Sequence, residues 1–245
     1  MKKYAEATPQ DPLTEIFSNV YLLRGSIKVG PLLQMNRNMV IVRDGNELTL
    51  INAVRLDTKN LEKLDELGAV KNIIRLGDFH GLDDQFYIDQ YKASFWSQES
   101  HSNYAELHPD KVINTTAKSP VQNSKFFIFA SAKFPEAALF LEDHQLLITT
   151  DSIQYWNDWK HISFLSKIIL SLMGFRLGLF IGGPWLKRAS RQKGSLEHDF
   201  NQLLALNFTS LVAAHGNVLK HSAKTELEKV VLRHLNESKM KVMYF

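Results

Sequence analysis

The chain of 245 residues carries 29 lysines and arginines against 26 aspartates and glutamates, a formal net charge of +3, and 44% of its residues are hydrophobic. That length and apolar content suffice for a substantial core, and a charge balance so close to neutral excludes nucleic-acid binding driven by bulk charge. With no cysteine in the chain, disulfides, thiolate metal sites and a cysteine nucleophile are excluded, and a reducing, cytoplasmic setting is expected.

The opening MKKYAEATPQDP has two lysines but none of the apolar run that a secretory signal needs. From Ile16 to Val54 come short β-rich runs, IFSNVYLL, NMVIV and LTLINAV, with the turn signal Asp44-Gly45-Asn46 between the last two; they predict an antiparallel start. Leu61, Leu64 and Leu67 stand at helical spacing and Gly68 follows as a stop, so TKNLEKLDELGAV predicts a helix that feeds a strand, NIIRL. A polar connector extends to about Lys118, followed by the strand-like runs KFFIFA, AALFL and QLLITT, the last two joined by a turn at Glu142-Asp143-His144. The C-terminal third reads as helical over Trp159–Phe175, Leu196–Leu206 and Thr225–Leu235, with one strand, SLVAA, ending at His215-Gly216. Sheet-then-helix in each half predicts a layered α/β sandwich.

Ile162–Arg188 is the most apolar stretch. Lys167 and Arg176 interrupt it and Gly182, Gly183 and Pro184 break it, so no transmembrane segment of about 20 apolar residues is expected. Three readings of 162–193 stand side by side: a helix packed on the core before a solvated basic loop; a roof over the cleft, with Trp185 lining it; and a peripheral membrane contact in which Lys187, Arg188, Arg191 and Lys193 meet anionic headgroups.

Three apolar strands end abruptly in residues able to bind a metal: IIRL-GDFHGLDD, LLITT-D and LVAA-HG. Strand ends in α/β layers are where loops converge on ligands. Without cysteine, the available donors there are Asp78, His80, Asp83, Asp84, Asp151 and His215, a set suited to zinc, iron or manganese. The bland alternative makes Asp83 or Asp84 the N-cap of a helix starting near Gln85, Asp151 a cap of SIQYW, and His215 a turn residue before glycine. His101, His108, His144, His221 and His234 lie in polar or helical stretches, while His161 and His198 flank the apolar segment as outer supports of the site.

This order of elements resembles the metallo-β-lactamase fold superfamily over roughly residues 16–220. The resemblance implies a four-layer αββα sandwich within a single domain, 1–245, with an apolar helical insertion at about 160–193, and a metal in a cleft at the sandwich edge. LLITTD puts Asp151 at the family's bridging aspartate, with Thr150 in place of the usual glycine, and VAAHG puts His215 at its last histidine. The family's His-x-His-x-Asp-His loop is not restored by LGDFHGLDD in either register of His80, and the stretch SAKFPEAALFL has Lys133 or a neighbour where the middle histidine belongs. RLGDFHGLDDQFYIDQY and LLALNFTSLVAAHGNVL are similar to a branch of the superfamily with a His-Gly-x-Asp-Asp loop, a resemblance that carries a fold and no substrate.

Two functions are compatible with these residues. One is a metal-dependent hydrolase of a small-molecule ester, amide or phosphoester, with an altered and more anionic site that favours iron, manganese or magnesium, and with Asp83 or Asp84 as proton acceptor. The other is a degenerate member serving as a binding or scaffold module, in which Arg75 neutralises one of the carboxylates. No G-x-G-x-x-G, G-x-x-x-x-G-K-[ST] or G-x-S-x-G motif is present, so nucleotide binding and a serine elbow are not expected.

Overall fold

A computed structural model of the chain describes residues 4–29, 33–99, 106–190 and 196–243. The first half runs β1 (Thr14–Phe17), β2 (Val20–Val29), β3 (Leu33–Asp44), β4 (Glu47–Ile51), α1 (Thr58–Leu67), β5 (Ala69–Arg75), α2 (Asp84–Tyr91), β6 (Ser94–Ser97) and β7 (Lys111–Val112). Its strands form one sheet in sequence order, antiparallel from β1 to β4 and parallel from β4 to β7.

The second half runs β8 (Ser124–Ile128), β9 (Ala137–Leu141), β10 (Leu146–Thr149), β11 (Ile153–Trp156), α3 (Phe164–Leu172), β12 (Gly178–Ile181), α4 (Gly183–Ala189), α5 (Glu197–Leu204), β13 (Ser210–Ala213) and α6 (Ala223–Met243). It builds a second sheet, β13-β10-β9-β8, with β13 parallel to β10 and the other pairs antiparallel, and a two-stranded sheet of β11 and β12.

Period-2 alternation explains the layering. Val20, Leu22, Val40 and Ile74 of the first sheet meet Leu139, Leu141, Ile148 and Val212 of the second in one buried cluster between the sheets. Their neighbours Leu23, Met39, Ile41 and Ile73 point the other way, onto Leu64 of α1 and Phe86 and Tyr87 of α2. Phe140, Leu147 and Leu211 likewise face Trp185 of α4, Phe200 and Leu203 of α5 and Leu227 of α6. Successive strand side chains point to opposite faces, so each strand feeds two layers, and the result is the αββα sandwich.

The ends of α1 follow the sequence signals: Asp57 accepts a hydrogen bond from the Asn60 N–H at 2.8 Å, and Gly68 follows with φ +152°. A Cβ at Gly68 would stand 2.5 Å from the Asn46 carbonyl oxygen, so the helix-to-strand turn requires glycine.

The insertion at 160–193 departs from its expected all-helical form. Helix α3 covers only Phe164–Leu172, and Gly178–Ile181 is a strand paired antiparallel with β11. A four-residue apolar run between glycines has no helical period to distinguish it, and the ladder offered by Ile153–Trp156 decides its state. Helix α3 also packs little: only Ser166 and Leu170 are buried.

Candidate metal centre

The three strand ends converge. Strands β10 and β13 are parallel neighbours with Thr149 opposite Ala213, so Asp151 and His215, each two residues further on, emerge side by side at the same edge. Gly77 brings His80 to them: a Cβ there would stand 2.6 Å from Thr150 Oγ1, and only glycine lets the loop after β5 lie against the end of β10. The Ala137 N–H to the Leu76 carbonyl, at 2.7 Å, fixes that loop to β9.

His80 Nε2 stands 3.1 Å from Asp151 Oδ2, His215 Nε2 stands 3.5 Å from Asp151 Oδ1, and the imidazole centroids are 5.2 Å apart. One donor atom from each of the three residues lies within 4.8 Å of the others. Ligand atoms of a tetrahedral zinc, about 2.0–2.1 Å from the ion, stand roughly 3.3 Å from one another, close to both measured carboxylate separations.

His215 Nδ1 lies 2.6 Å from the Asn36 carbonyl oxygen. A carbonyl only accepts, so Nδ1 carries a proton, and Nε2 is the nitrogen that faces Asp151. Burial pushes the His80 imidazole down, against the opposing effect of Asp151. Burial pushes the Asp151 carboxyl up, but His80 and His215 outweigh it and hold the group below the ordinary carboxylate range. Two imidazoles beside one carboxylate are a donor set that fits a divalent metal.

The three residues floor a cleft of about 280 Å³ whose walls include Ile27, Leu33, Phe79, Phe175 and Trp185. Arg188 stands at its rim, its guanidinium 5.1 Å from the centre of the Phe79 ring.

Three solved structures are similar to this chain along nearly its whole length. VMB-1 has a TM-score of 0.66 at 11% identity, covering 93% of this chain and 99% of its own. The DIM-1 metallo-β-lactamase exposed to ceftazidime has a TM-score of 0.65 at 8% identity over 94% and 99% of the two chains. The FIM-1 metallo-β-lactamase from Pseudomonas aeruginosa, in its mono-zinc form, has a TM-score of 0.65 at 10% identity over 96% and 98%. The chain has the metallo-β-lactamase fold. No family model and no curated protein sequence matches it.

Within this metallo-β-lactamase fold the six candidate residues divide. His80, Asp151 and His215 gather at the cleft; the three loop aspartates do not join them. Asp83 Oδ2 accepts from Arg37 Nη1 at 2.9 Å, both side chains buried. Asp84 Oδ2 lies 3.7 Å from Arg75 Nε, again with both buried. Burial pushes Asp83 up against the pull of Arg37, and pushes Asp84 up to about 6 against Arg75 and Arg37. Asp78 is buried on a separate small cavity beside Arg75, Ser97 and Pro135. Asp83 and Asp84 are thus compensated by guanidinium groups rather than drawn to the imidazoles. Asp83 does occupy the N-cap position of α2, yet its side chain makes no capping bond.

Two groups of residues went unremarked in the sequence. Asn36, Arg37 and Asn38 are consecutive and all buried in the middle of β3; a polar triplet inside an apolar strand was the available signal. Asn38 donates to the Ala213 and Gly216 carbonyls at 2.9 and 3.1 Å, and Asn36 Oδ1 accepts from the Gly216 N–H. Glu136, within SAKFPEAALFL, is 1% exposed and accepts from the Ser152 N–H at 2.7 Å. Burial, with Asp151 adding to it, pushes its carboxyl up to about 8. Lys133, from the same stretch, is exposed.

Among the described residues, the remaining histidines stay outside the site. His161 pairs with Asp11 at 3.1 Å instead of supporting the cleft, and His198 is exposed. His101, Arg191 and Lys193 lie outside the described residues. Among the described residues, no helix is long and apolar enough to cross a membrane.

Proposed function

We propose that the chain is a metal-dependent hydrolase with a single metal held by His80, Asp151 and His215, acting on a small molecule that carries an apolar group. What carries this reading is the convergence of one donor atom each from His80, Asp151 and His215 within 4.8 Å of one another at the floor of the cleft. Iron, manganese and zinc all suit two imidazoles and a carboxylate.

The metal, when bound, supplies Lewis-acid polarisation of a carbonyl or phosphoryl oxygen and makes water a stronger acid. Of the chain's own groups, Ile27, Leu33, Phe79 and Trp185 exclude water and hold the apolar part of the substrate. Asp151 has one oxygen beside each imidazole, so one serves as ligand while the other accepts the proton of an attacking water. Asp83 and Asp84 are taken out of the expected proton-acceptor role because their charges serve Arg37 and Arg75.

Elemental analysis of protein purified without chelators or a histidine tag tests this reading, comparing wild type with His80→Ala and Asp151→Ala. Near-stoichiometric metal that disappears in both variants is expected, with hydrolysis of ester, lactone or phosphoester probes lost in parallel. A wild type that holds no metal even after reconstitution supports the second reading, a catalytically inert binding module. That reading is favoured by the guanidinium pairing of two of the expected ligands.

A further inference from the structure

Helix α3 turns its apolar side outward. Phe164 is 80% and Leu172 84% exposed, with Leu165 and Ile168 between them on the same arc and Met173 and Leu177 following, all exposed. A surface helix ordinarily keeps that arc polar, and contiguous exposed apolar residues on a monomer mark an interaction site. The arc runs into the cleft mouth, since Met173, Val29 and Leu82 are exposed and also line the cleft.

The charge around this arc has one sign. Between Asp158 and Glu197 the sequence carries seven lysines and arginines and no acidic residue. Two of them, Arg191 and Lys193, lie outside the described residues; Arg176, Lys187 and Arg188 are exposed. Lys160 is the exception, paired with Asp11 at 2.9 Å. A second copy of the chain docked on this face by two-fold symmetry would set the cationic border against itself. An anionic bilayer answers both features: headgroups meet the cations while the apolar arc enters the acyl boundary.

We infer that α3 and the cleft rim dock on the surface of an anionic phospholipid bilayer, with the mouth of the cleft against the lipid. This docking is independent of whether the three-residue cluster holds a metal.

Vesicle co-sedimentation of the full chain tests it, with phosphatidylcholine vesicles prepared with and without phosphatidylglycerol. The wild type is expected to sediment with the anionic vesicles, less so as salt rises, and weakly with phosphatidylcholine alone. Phe164→Asp/Leu172→Asp and Lys167→Glu/Arg176→Glu are each expected to weaken binding about tenfold or more. Unchanged circular dichroism and melting of the variants distinguish lost docking from lost folding. Wild type that stays in the supernatant with anionic vesicles, or folded variants that bind as well as wild type, overturns the inference. So does a wild-type dimer in sedimentation velocity that Phe164→Asp/Leu172→Asp converts to monomer without any vesicle binding, which assigns the face to a second copy.

Discussion

His215 donates its Nδ1 proton to the backbone carbonyl of Asn36 at 2.6 Å, joining the end of β13 to the middle of β3 across a sequence separation of 179 residues. The bond orients the imidazole and turns Nε2 toward the cleft. The Asn36 side chain strengthens the same junction by accepting from the Gly216 N–H.

Asn36→Ala keeps the carbonyl but removes the side-chain support of Gly216. It is expected to weaken metal affinity by about 10–100-fold while all three donor residues remain. Competition against a chromophoric chelator measures it; affinity equal to wild type would mean that the turn after β13 orients His215 unaided.

Arg37 and Asp83 form a buried pair 2.9 Å apart. Arg37→Met leaves a buried carboxylate without its partner and is expected to cost about 3–5 kcal/mol in urea denaturation. Arg37→Met/Asp83→Leu, which removes both charges, should recover most of that loss. A double variant no more stable than the single one would refute the pairing as the source.

The Glu136 carboxyl, pushed up to about 8 from an ordinary 4.5, makes the fold sensitive to pH. Between those values the folded state binds more protons at this group than the unfolded state, so stability falls as pH rises and levels off above about 8. Glu136→Gln keeps a hydrogen-bonding side chain and removes the titration. Melting of chelator-treated protein should therefore fall less steeply for the variant across that window, and parallel profiles would rule the group out.

Gly216 and Gly45 both adopt left-handed backbone, at φ +83° and +59°. A Cβ at Gly216 would stand 2.2 Å from the Tyr155 carbonyl oxygen, whereas nothing lies within 4 Å of one at Gly45. Gly45→Ala is expected to cost about 1–2 kcal/mol. Gly216→Ala should cost more and displace His215 as well, so that thermal melting and metal content both fall. Equal costs at the two sites would contradict the close approach.

Local pattern made much of this legible. Short β-rich runs marked β2–β5, Leu61, Leu64 and Leu67 with Gly68 marked α1, and the three strands ending at the GDFHG loop, Asp151 and His215 pointed to one cleft. Those signals are written in neighbouring residues, where backbone stereochemistry and the face of a sheet or helix are decided. Tertiary structure alone decided the rest. Whether the charge of Asp83 belongs to a metal site or to Arg37, 46 residues away, depends on which partner the fold brings within reach, because a buried carboxylate takes the cation that packing offers. Gly178–Ile181 became a strand only because β11 presented an unpaired edge, and Phe164 and Leu172 stayed in solvent because no layer of the sandwich extends over α3. Sequence fixes what each side chain can do, but distance sets its partner, and distance exists only in the folded chain.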